Sequence, residues 1–300
     1  MKATFLGTGG SIPTKRKSLP SFVVRTNADL VMFDCGEGTQ KQFLLARMGF
    51  NREMRILISH MHADHVLGLP GLLHSMSFMG RTRELQIFGP QGIREFVRCT
   101  SESVKFRPVF PIETLEVHPG TIAKTRDYVL SAAWADHSVP CLAYALIEND
   151  RPGRFYPTKA RRLQIPKGPL WKSLQTGKPV RVDGKRILPL QVVGPPRKGL
   201  KITYAADTRP CDRVLRLASH SDLLVHDGMF ASEDLNRAKK YGHSTAAEAA
   251  RVAKKSDSGI LALIHSSSIY DDTKPLLFEA RKVFRRTLLP EDLSSVELHY

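Results

Sequence analysis

Cysteine is scarce: Cys35, Cys99, Cys141 and Cys211 are the only four in 300 residues, and no two stand at the spacing of a metal knuckle or a redox pair. That leaves no basis for a disulfide framework or a thiolate zinc site, and the expectation is reduced thiols in a cytoplasmic protein. Long apolar runs are missing too. The longest uncharged stretch, residues 66–80, is broken by Pro70, His74 and three glycines. It falls short of the ~18 apolar residues that a membrane-spanning helix needs. The opening Met1-Lys2-Ala3-Thr4-Phe5 enters a strand-like pattern with no apolar signal-peptide core. Repeats and low-complexity tracts are absent. What is present, including 21 Gly and 19 Pro, is the composition of an ordinary α/β protein. Its length suffices for a core that needs no staples.

Acidic residues are short in one place above all. Residues 151–200 hold thirteen lysines and arginines against Asp183 alone, a net +12 of the chain's formal +16. An excess this concentrated points to a polyanionic partner, whereas a merely solvated loop would mix its signs. Eight prolines and glycines interrupt the segment up to Pro179. It therefore reads as a protruding arm, residues 149–199, with little regular structure, inserted in a single domain spanning residues 1–300.

Outside the arm, short apolar β-rich runs alternate with helical periodicity. Strands are expected at 3–6, 22–25, 30–33, 55–59, 85–88, 128–133, 142–147, 202–205, 223–225 and 260–264. Helices are expected at 39–48, 65–79, 93–104, 211–217, 244–254 and 274–286. Runs of strands, then strand–helix alternation, then the same order again suggest two packed sheets with helices outside.

One segment carries the chemistry: Ile56-Leu57-Ile58-Ser59-His60-Met61-His62-Ala63-Asp64-His65. A buried-looking strand delivers four potential ligands in six residues. His60 and His62, two apart in extended chain, project to the same side. Asp64 and His65 fall at the turn into a helix. Imidazole and carboxylate without thiolate suit zinc or a similar divalent ion in an open, catalytic site. A surface histidine cluster is the bland alternative. Further candidates emerge where other strands end: His137 after Trp134-Ala135-Asp136, Asp207 after Tyr204-Ala205-Ala206, and His265 after Leu263-Ile264. Singly, each would more often be structural. Together with the first cluster they complete two three-ligand sets sharing one carboxylate. His74, His118, His220, His226 and His299 read as structural or solvent-facing. The loop Gly7-Thr8-Gly9-Gly10-Ser11 lacks the Gly-Lys-Ser/Thr ending of a phosphate loop.

His-x-His-x-Asp-His after a strand resembles the signature of the metallo-β-lactamase superfamily, and the chain is similar to its ribonuclease Z branch over nearly its whole length. The similarity runs through Phe5-Leu6-Gly7-Thr8-Gly9-Gly10-Ser11 and Phe33-Asp34-Cys35-Gly36-Glu37-Gly38-Thr39-Gln40. It continues through Gly68-Leu69-Pro70-Gly71-Leu72-Leu73, Asp207-Thr208-Arg209 and, in the arm, Ile165-Pro166-Lys167-Gly168-Pro169-Leu170. The resemblance implies an αββα four-layer sandwich with two Zn²⁺ ions per subunit between the sheets. It implies His60, His62 and His137 on one ion, Asp64, His65 and His265 on the other, Asp207 bridging and Asp34 in support. It also implies a homodimer in which one subunit's arm could serve the other's site.

Catalytic roles follow the same resemblance. Asp64 is expected both to ligate and to accept the proton of the attacking water. His243, in Gly242-His243-Ser244-Thr245, is expected to donate a proton to the leaving oxygen, although Ser244 or Thr245 could simply cap a helix there. The family's His-Glu-Ala-Thr becomes His226-Asp227-Gly228-Met229, so Asp227 replaces the glutamate that pairs with this histidine. Ile269 stands where a phosphate-binding arginine is expected, and Lys17 keeps a basic residue where an Arg-Asn is missing.

The activity implied is zinc-dependent removal of the 3′ trailer from precursor tRNA, leaving a 3′-hydroxyl. Arg151, Arg154, Arg161, Arg162, Lys167 and Lys172 of the arm would follow RNA phosphates without reading bases. Trp171 and Tyr156 could stack on bases or pack at the arm's base. A small-molecule hydrolase acting on cyclic nucleotides, arylsulfates or lactones would share every ligand but have no use for the arm. A tRNA-binding protein without catalysis would have broken ligands, and all seven candidates are present.

Overall fold

Two seven-stranded sheets face each other through aromatic side chains in the computed structural model, which describes residues 1–27 and 29–300. In the first half of the chain the elements are β1 (Lys2–Gly7), β2 (Ser21–Arg25), β3 (Leu30–Phe33), α1 (Thr39–Leu45), β4 (Met54–Leu57) and α2 (Ala63–Val66). After these come α3 (Gly68–Phe78), β5 (Leu85–Gly89), α4 (Ile93–Ser103) and β6 (Ile112–Glu116). The second sheet begins with β7 (Gly120–Lys124), β8 (Tyr128–Trp134) and β9 (Leu142–Glu148). The basic segment then folds as α5 (Pro157–Arg162), α6 (Pro169–Gln175), β10 (Val180–Val182) and β11 (Lys185–Ile187). The chain resumes with β12 (Lys201–Ala205), α7 (Asp212–Ala218), β13 (Leu223–Asp227), α8 (Leu235–Tyr241) and α9 (Ala246–Lys255). It finishes with β14 (Ile260–Ile264), α10 (Lys274–Val283), β15 (Thr287–Leu288) and β16 (Ser295–Glu297).

The first sheet has the order β16-β1-β2-β3-β4-β5-β6 and the second β15-β14-β13-β12-β9-β8-β7. Strands β3 to β6 pair in parallel, as do β12 to β15. Parallel strands are covered on both faces, which is why Leu30-Val31-Met32-Phe33 and Leu261-Ala262-Leu263-Ile264 are continuous apolar runs. Between the sheets, the Tyr204 ring stacks on Phe22 and Phe33, and the Tyr144 hydroxyl donates to Ile58 O at 2.7 Å. Leu69, Leu72 and Met76 of α3 cover the first sheet's outer face, and Ala246, Ala249, Ala250 and Ala253 of α9 cover the second's. The order of layers is the αββα sandwich expected from the sequence.

Two differences from the sequence pattern have local causes. The helix expected over 65–79 is two helices, because the Gly68 amide turns to donate to Cys35 O at 2.9 Å. Strands β6, β7 and β16 carry little apolar signal because they lie at sheet edges with one side in water.

The chain comprises a larger compact unit and a smaller one made of Arg126–Tyr128, Glu148–Leu200 and Tyr300. The arm's expected lack of regular structure is wrong. Its prolines begin helices instead of breaking them, Pro157 and Pro169 each sitting in a first turn where a missing N–H costs nothing. Asp183-Gly184 makes the two-residue turn between β10 and β11, with φ of 49° and 77°. Ala160, Ile165, Leu174, Val180, Ile187 and Val192 form a small core of the segment's own, with Phe155 and Trp171 against it. The Trp171 indole donates to Ile165 O at 3.0 Å, so this ring packs. Arg154, Lys159, Arg161, Arg162, Lys167 and Lys172 are exposed. Arg151 is half-buried, its guanidinium on Glu148 Oε1 at 2.9 Å and over the Tyr300 ring.

Candidate metal centre

The ends of β4, β12 and β14, and the loop after β8, deliver the seven sequence-expected ligands to one place. The pairing of Asp136 with Arg209 draws the loop after β8 onto the loop after β12, which sets His137 beside Asp207. His60, His62, His137 and Asp207 form one group whose donor atoms all lie within 4.8 Å of one another, and Asp64, His65 and His265 form another. In the first, His62 Nδ1 lies 3.0 Å from His60 Nε2 and 3.3 Å from His137 Nε2. In the second, His265 Nε2 lies 3.3 Å from His65 Nε2 and 3.2 Å from Asp64 Oδ2. Asp207 divides its oxygens between them. Its Oδ2 is 3.6 Å from His60 Nε2 and 3.8 Å from His137 Nε2, and its Oδ1 is 3.2 Å from His65 Nε2 and 3.4 Å from His265 Nε2.

The ligand nitrogens point at one another while the opposite nitrogens are held from behind. His65 Nδ1 meets Asp34 Oδ2 at 2.7 Å, His137 Nδ1 meets Gly242 O at 2.9 Å, and His60 Nδ1 meets Ser59 Oγ at 2.9 Å. Asp34 also accepts from the Ser59 amide, the Ser59 hydroxyl and the Tyr204 hydroxyl, at 2.7 to 2.8 Å. Such partners fix which nitrogen a histidine offers to a metal. Asp207 Oδ1 is buried with no hydrogen-bond donor. A buried carboxylate oxygen without a proton to accept is costly, and a cation at this point removes the cost. The donor set therefore fits a divalent metal ion.

Electrostatics divide the histidines: burial works against charge on His65, but Asp207 and Asp34 raise it well above an ordinary imidazole. Burial and the neighbouring His65 hold His60 well below an ordinary imidazole, as neutral ligands require. Burial opposes charge on Asp207, but His265 and His65 hold its carboxyl well below the usual range.

Asp34 and His265 have φ of 57° and 61°, in the left-handed region. Gly10 lies so close to His265 that a Cβ would stand 2.6 Å from its ring. Near it the Ser11 amide donates to Asp64 Oδ2 at 2.8 Å. Asp292 secures this loop by accepting from the amides of Thr8 and Ser18 at 3.0 and 2.6 Å. The Lys17 ammonium donates to Ser266 Oγ at 2.5 Å.

His243 and Asp227 meet beside the cluster. His243 Nδ1 is 2.9 Å from Asp227 Oδ2, and Asp227 also accepts from the amides of Thr208, Ser244 and Met229. Burial works against a charged imidazole, yet Asp227 raises His243 to about 9. Thr245 is the cap of α9, exchanging bonds with Glu248 in a capping box worth ~1 kcal/mol, so the histidine is not part of the cap. His243 lines a cleft of about 700 Å³ together with Ser11, His62, Asp64, His137 and Asp207. Met229, Phe230, Arg237, Tyr241 and Ile269 also line it. Sequence periodicity does not mark α8, the source of Arg237 and Tyr241, because Ala238 is its one buried residue. The roles of Ser11, Gly242 and Asp292 likewise have no sequence signal of their own; they depend on where distant loops land.

A two-sheet sandwich with a histidine–aspartate cluster at its strand ends defines a hydrolase of the metallo-β-lactamase fold. The crystal structure of human tRNase Z, short form, superposes with a TM-score of 0.74 at 24% identity, covering 100% of both chains. The metallo-β-lactamase fold protein YhfI from Bacillus subtilis gives a TM-score of 0.70 at 17% identity, covering 98% of both chains. In sequence, the chain is 45% identical to ribonuclease Z of Methanosarcina acetivorans, over 100% of this chain and 99% of the relative. It is 42% identical to ribonuclease Z of Methanothermobacter thermautotrophicus, over 99% and 97%. A family profile described as anti-Pycsar protein Apyc1 matches residues 1–101. The chain belongs to the ribonuclease Z family.

Proposed function

We propose that this protein is the zinc-dependent endoribonuclease that removes the 3′ trailer from precursor tRNA. The family supplies the activity. The observation that carries the metal reading is Asp207, whose two oxygens face two separate histidine sets. Two zinc ions per chain fit those sets: one held by His60, His62 and His137, the other by Asp64, His65 and His265, with Asp207 between. Bound there, they would supply a nucleophile at neutral pH and neutralise charge on the phosphoryl oxygens.

The chain's own residues do the remainder. Asp64, steadied by the Ser11 amide, accepts the proton of the attacking water. The bond between phosphorus and the ribose 3′ oxygen breaks, and that oxygen is a poor leaving group until protonated. His243, kept charged by Asp227, donates the proton. The products are a tRNA with a 3′-hydroxyl and a trailer with a 5′-phosphate. The exposed cations Arg154, Arg161, Arg162, Lys167 and Lys172 are proposed to hold tRNA phosphates, on a segment whose own small core makes it a shaped surface. A hydrolase of small phosphodiesters would not need them.

We place the enzyme in the cytoplasm, on its four unpaired cysteines. Among the described residues no helix is long and apolar enough to cross a membrane. A homodimer is supported by apolar side chains left in water on α1 and α3, including Leu44, Leu45 and Phe78, the last 80% exposed. The test of the activity is incubation with Zn²⁺ and a 3′-extended precursor tRNA, with both new ends mapped. Cleavage giving a 3′-hydroxyl supports the reading. No cut, or a 3′-phosphate, removes it.

A further inference from the structure

Metal ions held by Asp64, Asp207 and the histidines would neutralise the phosphate that is cut, but the phosphates flanking it need a cation of the chain's own. Among the described residues, Arg237 is the one lysine or arginine that lines the cleft. It stands on α8 with Tyr241, four residues on and therefore one turn along the same helix face. Neither side chain makes a hydrogen bond within the described residues, and the Lys240 ammonium lies 5.4 Å from the Tyr241 ring centre. The nearest charge partner of Arg237 is Asp234, with Nε to Oδ1 at 3.8 Å, beyond hydrogen-bond reach, and its side chain is 57% exposed. Tyr241 is 51% exposed. A mobile helix would make a poor shelf, but α8 is pinned at its start. Tyr270 hydrogen-bonds Asp234 and accepts from the Ala231 amide at 3.0 Å, and Glu279 accepts from the Ser232 amide at 2.9 Å.

Resting on the ribonuclease reading above, we propose that α8 is a nucleotide-binding shelf. The Arg237 guanidinium takes a backbone phosphate next to the scissile one, and the Tyr241 ring stacks on the base of one of the two nucleotides joined at the cut. A planar fork that binds phosphate in two-pronged fashion and a ring that accepts any base face suit single-stranded RNA read without regard to sequence. The shelf also accounts for a cleft in which Ile269, 51% exposed, offers no charge. Arg237 supplies the cation from a different element.

The test uses the zinc-loaded enzyme and a 3′-extended precursor tRNA. Arg237→Ala and Tyr241→Ala should each raise KM roughly fivefold or more, with the smaller part of the loss in kcat. Arg237→Lys and Tyr241→Phe should recover most of it, and Arg237→Ala should lower the salt dependence of binding by about one phosphate contact. A second readout does not depend on turnover. An uncleavable precursor with a phosphonate at the cut and 4-thiouridine on one flank or the other should photo-crosslink to the peptide containing Tyr241. If KM is unchanged in both alanine variants, or if neither flanking nucleotide crosslinks to α8, the shelf is overturned. Failure of the unsubstituted enzyme to cut the precursor would instead overturn the reading beneath it.

Discussion

His243 Nδ1 lies 2.9 Å from Asp227 Oδ2, in a pocket where Asp227 is wholly buried and takes three further bonds from backbone amides. Aspartate is one methylene shorter than the glutamate that the ribonuclease Z resemblance leads one to expect here, yet it reaches the ring. This contact fixes the ring nitrogen that remains for chemistry and keeps the imidazole charged at neutral pH.

His243→Ala is therefore expected to lower kcat on precursor tRNA by roughly 10²–10⁴-fold, the range for loss of a positioned proton donor. The pH dependence follows from the raised imidazole value. A donor must carry its proton, so activity should fall as pH rises through that value. Asp227 sets it at about 9, and nearby divalent cations, which favour the neutral ring, move it lower. Asp227→Asn should shift this alkaline limb further down, and His243→Ala should abolish it. An unchanged limb in rate–pH profiles of His243→Ala would remove the histidine from the reaction.

Asp64→Ala should lower metal content and turnover together, because one carboxylate serves both. Metal analysis beside kinetics separates the two effects. A variant with full turnover would contradict the role given to Asp64.

Arg161 and Arg162 are exposed at the end of α5. Reversing both charges to Glu should reduce the ratio of precursor-tRNA cleavage to hydrolysis of a small activated diester, most strongly at low salt. The logarithmic salt slope of tRNA binding should shrink by about two, one per lost phosphate contact. An unaltered ratio would make the basic segment a solvated surface.

Glu148 holds Arg151 and Tyr300 at the start of the basic segment and accepts from the Leu200 amide at its end, at 3.3 Å. Burial works against charge on Glu148, but Tyr300 and Arg151 hold its carboxyl below the ordinary 4.5. A depressed carboxyl contributes stability that is full above the unfolded value and is lost as pH falls through the folded one. Protection of this segment from limited proteolysis should therefore hold at neutral pH and in mild acid, fail only as pH falls below the ordinary carboxyl value, and be weakened at neutral pH in Glu148→Gln.

The histidine–aspartate cluster is legible in the sequence because its members follow apolar strands, which deliver them to one end of the two facing sheets. His60 and His265 needed only β4 and β14 to be recognised. The arm was misread because prolines and glycines break structure in an isolated reading, whereas Pro157 and Pro169 occupy helix first turns and Asp183-Gly184 turns a hairpin. The segment's apolar residues are spaced too widely for one helix or one strand, and they meet only when several short elements fold together. Arg237 and Tyr241 escaped notice for a related reason. A short helix with one buried residue has no periodic stripe, and its placement over the cleft is a tertiary fact.

The most direct measurement counts zinc bound to the purified chain by native mass spectrometry, before and after Asp207→Ala. The account predicts two ions on the unsubstituted chain and loss of at least one, with the same backbone fold, when the shared carboxylate is removed. A single ion on the unsubstituted chain, or a count that ignores Asp207→Ala, would contradict it.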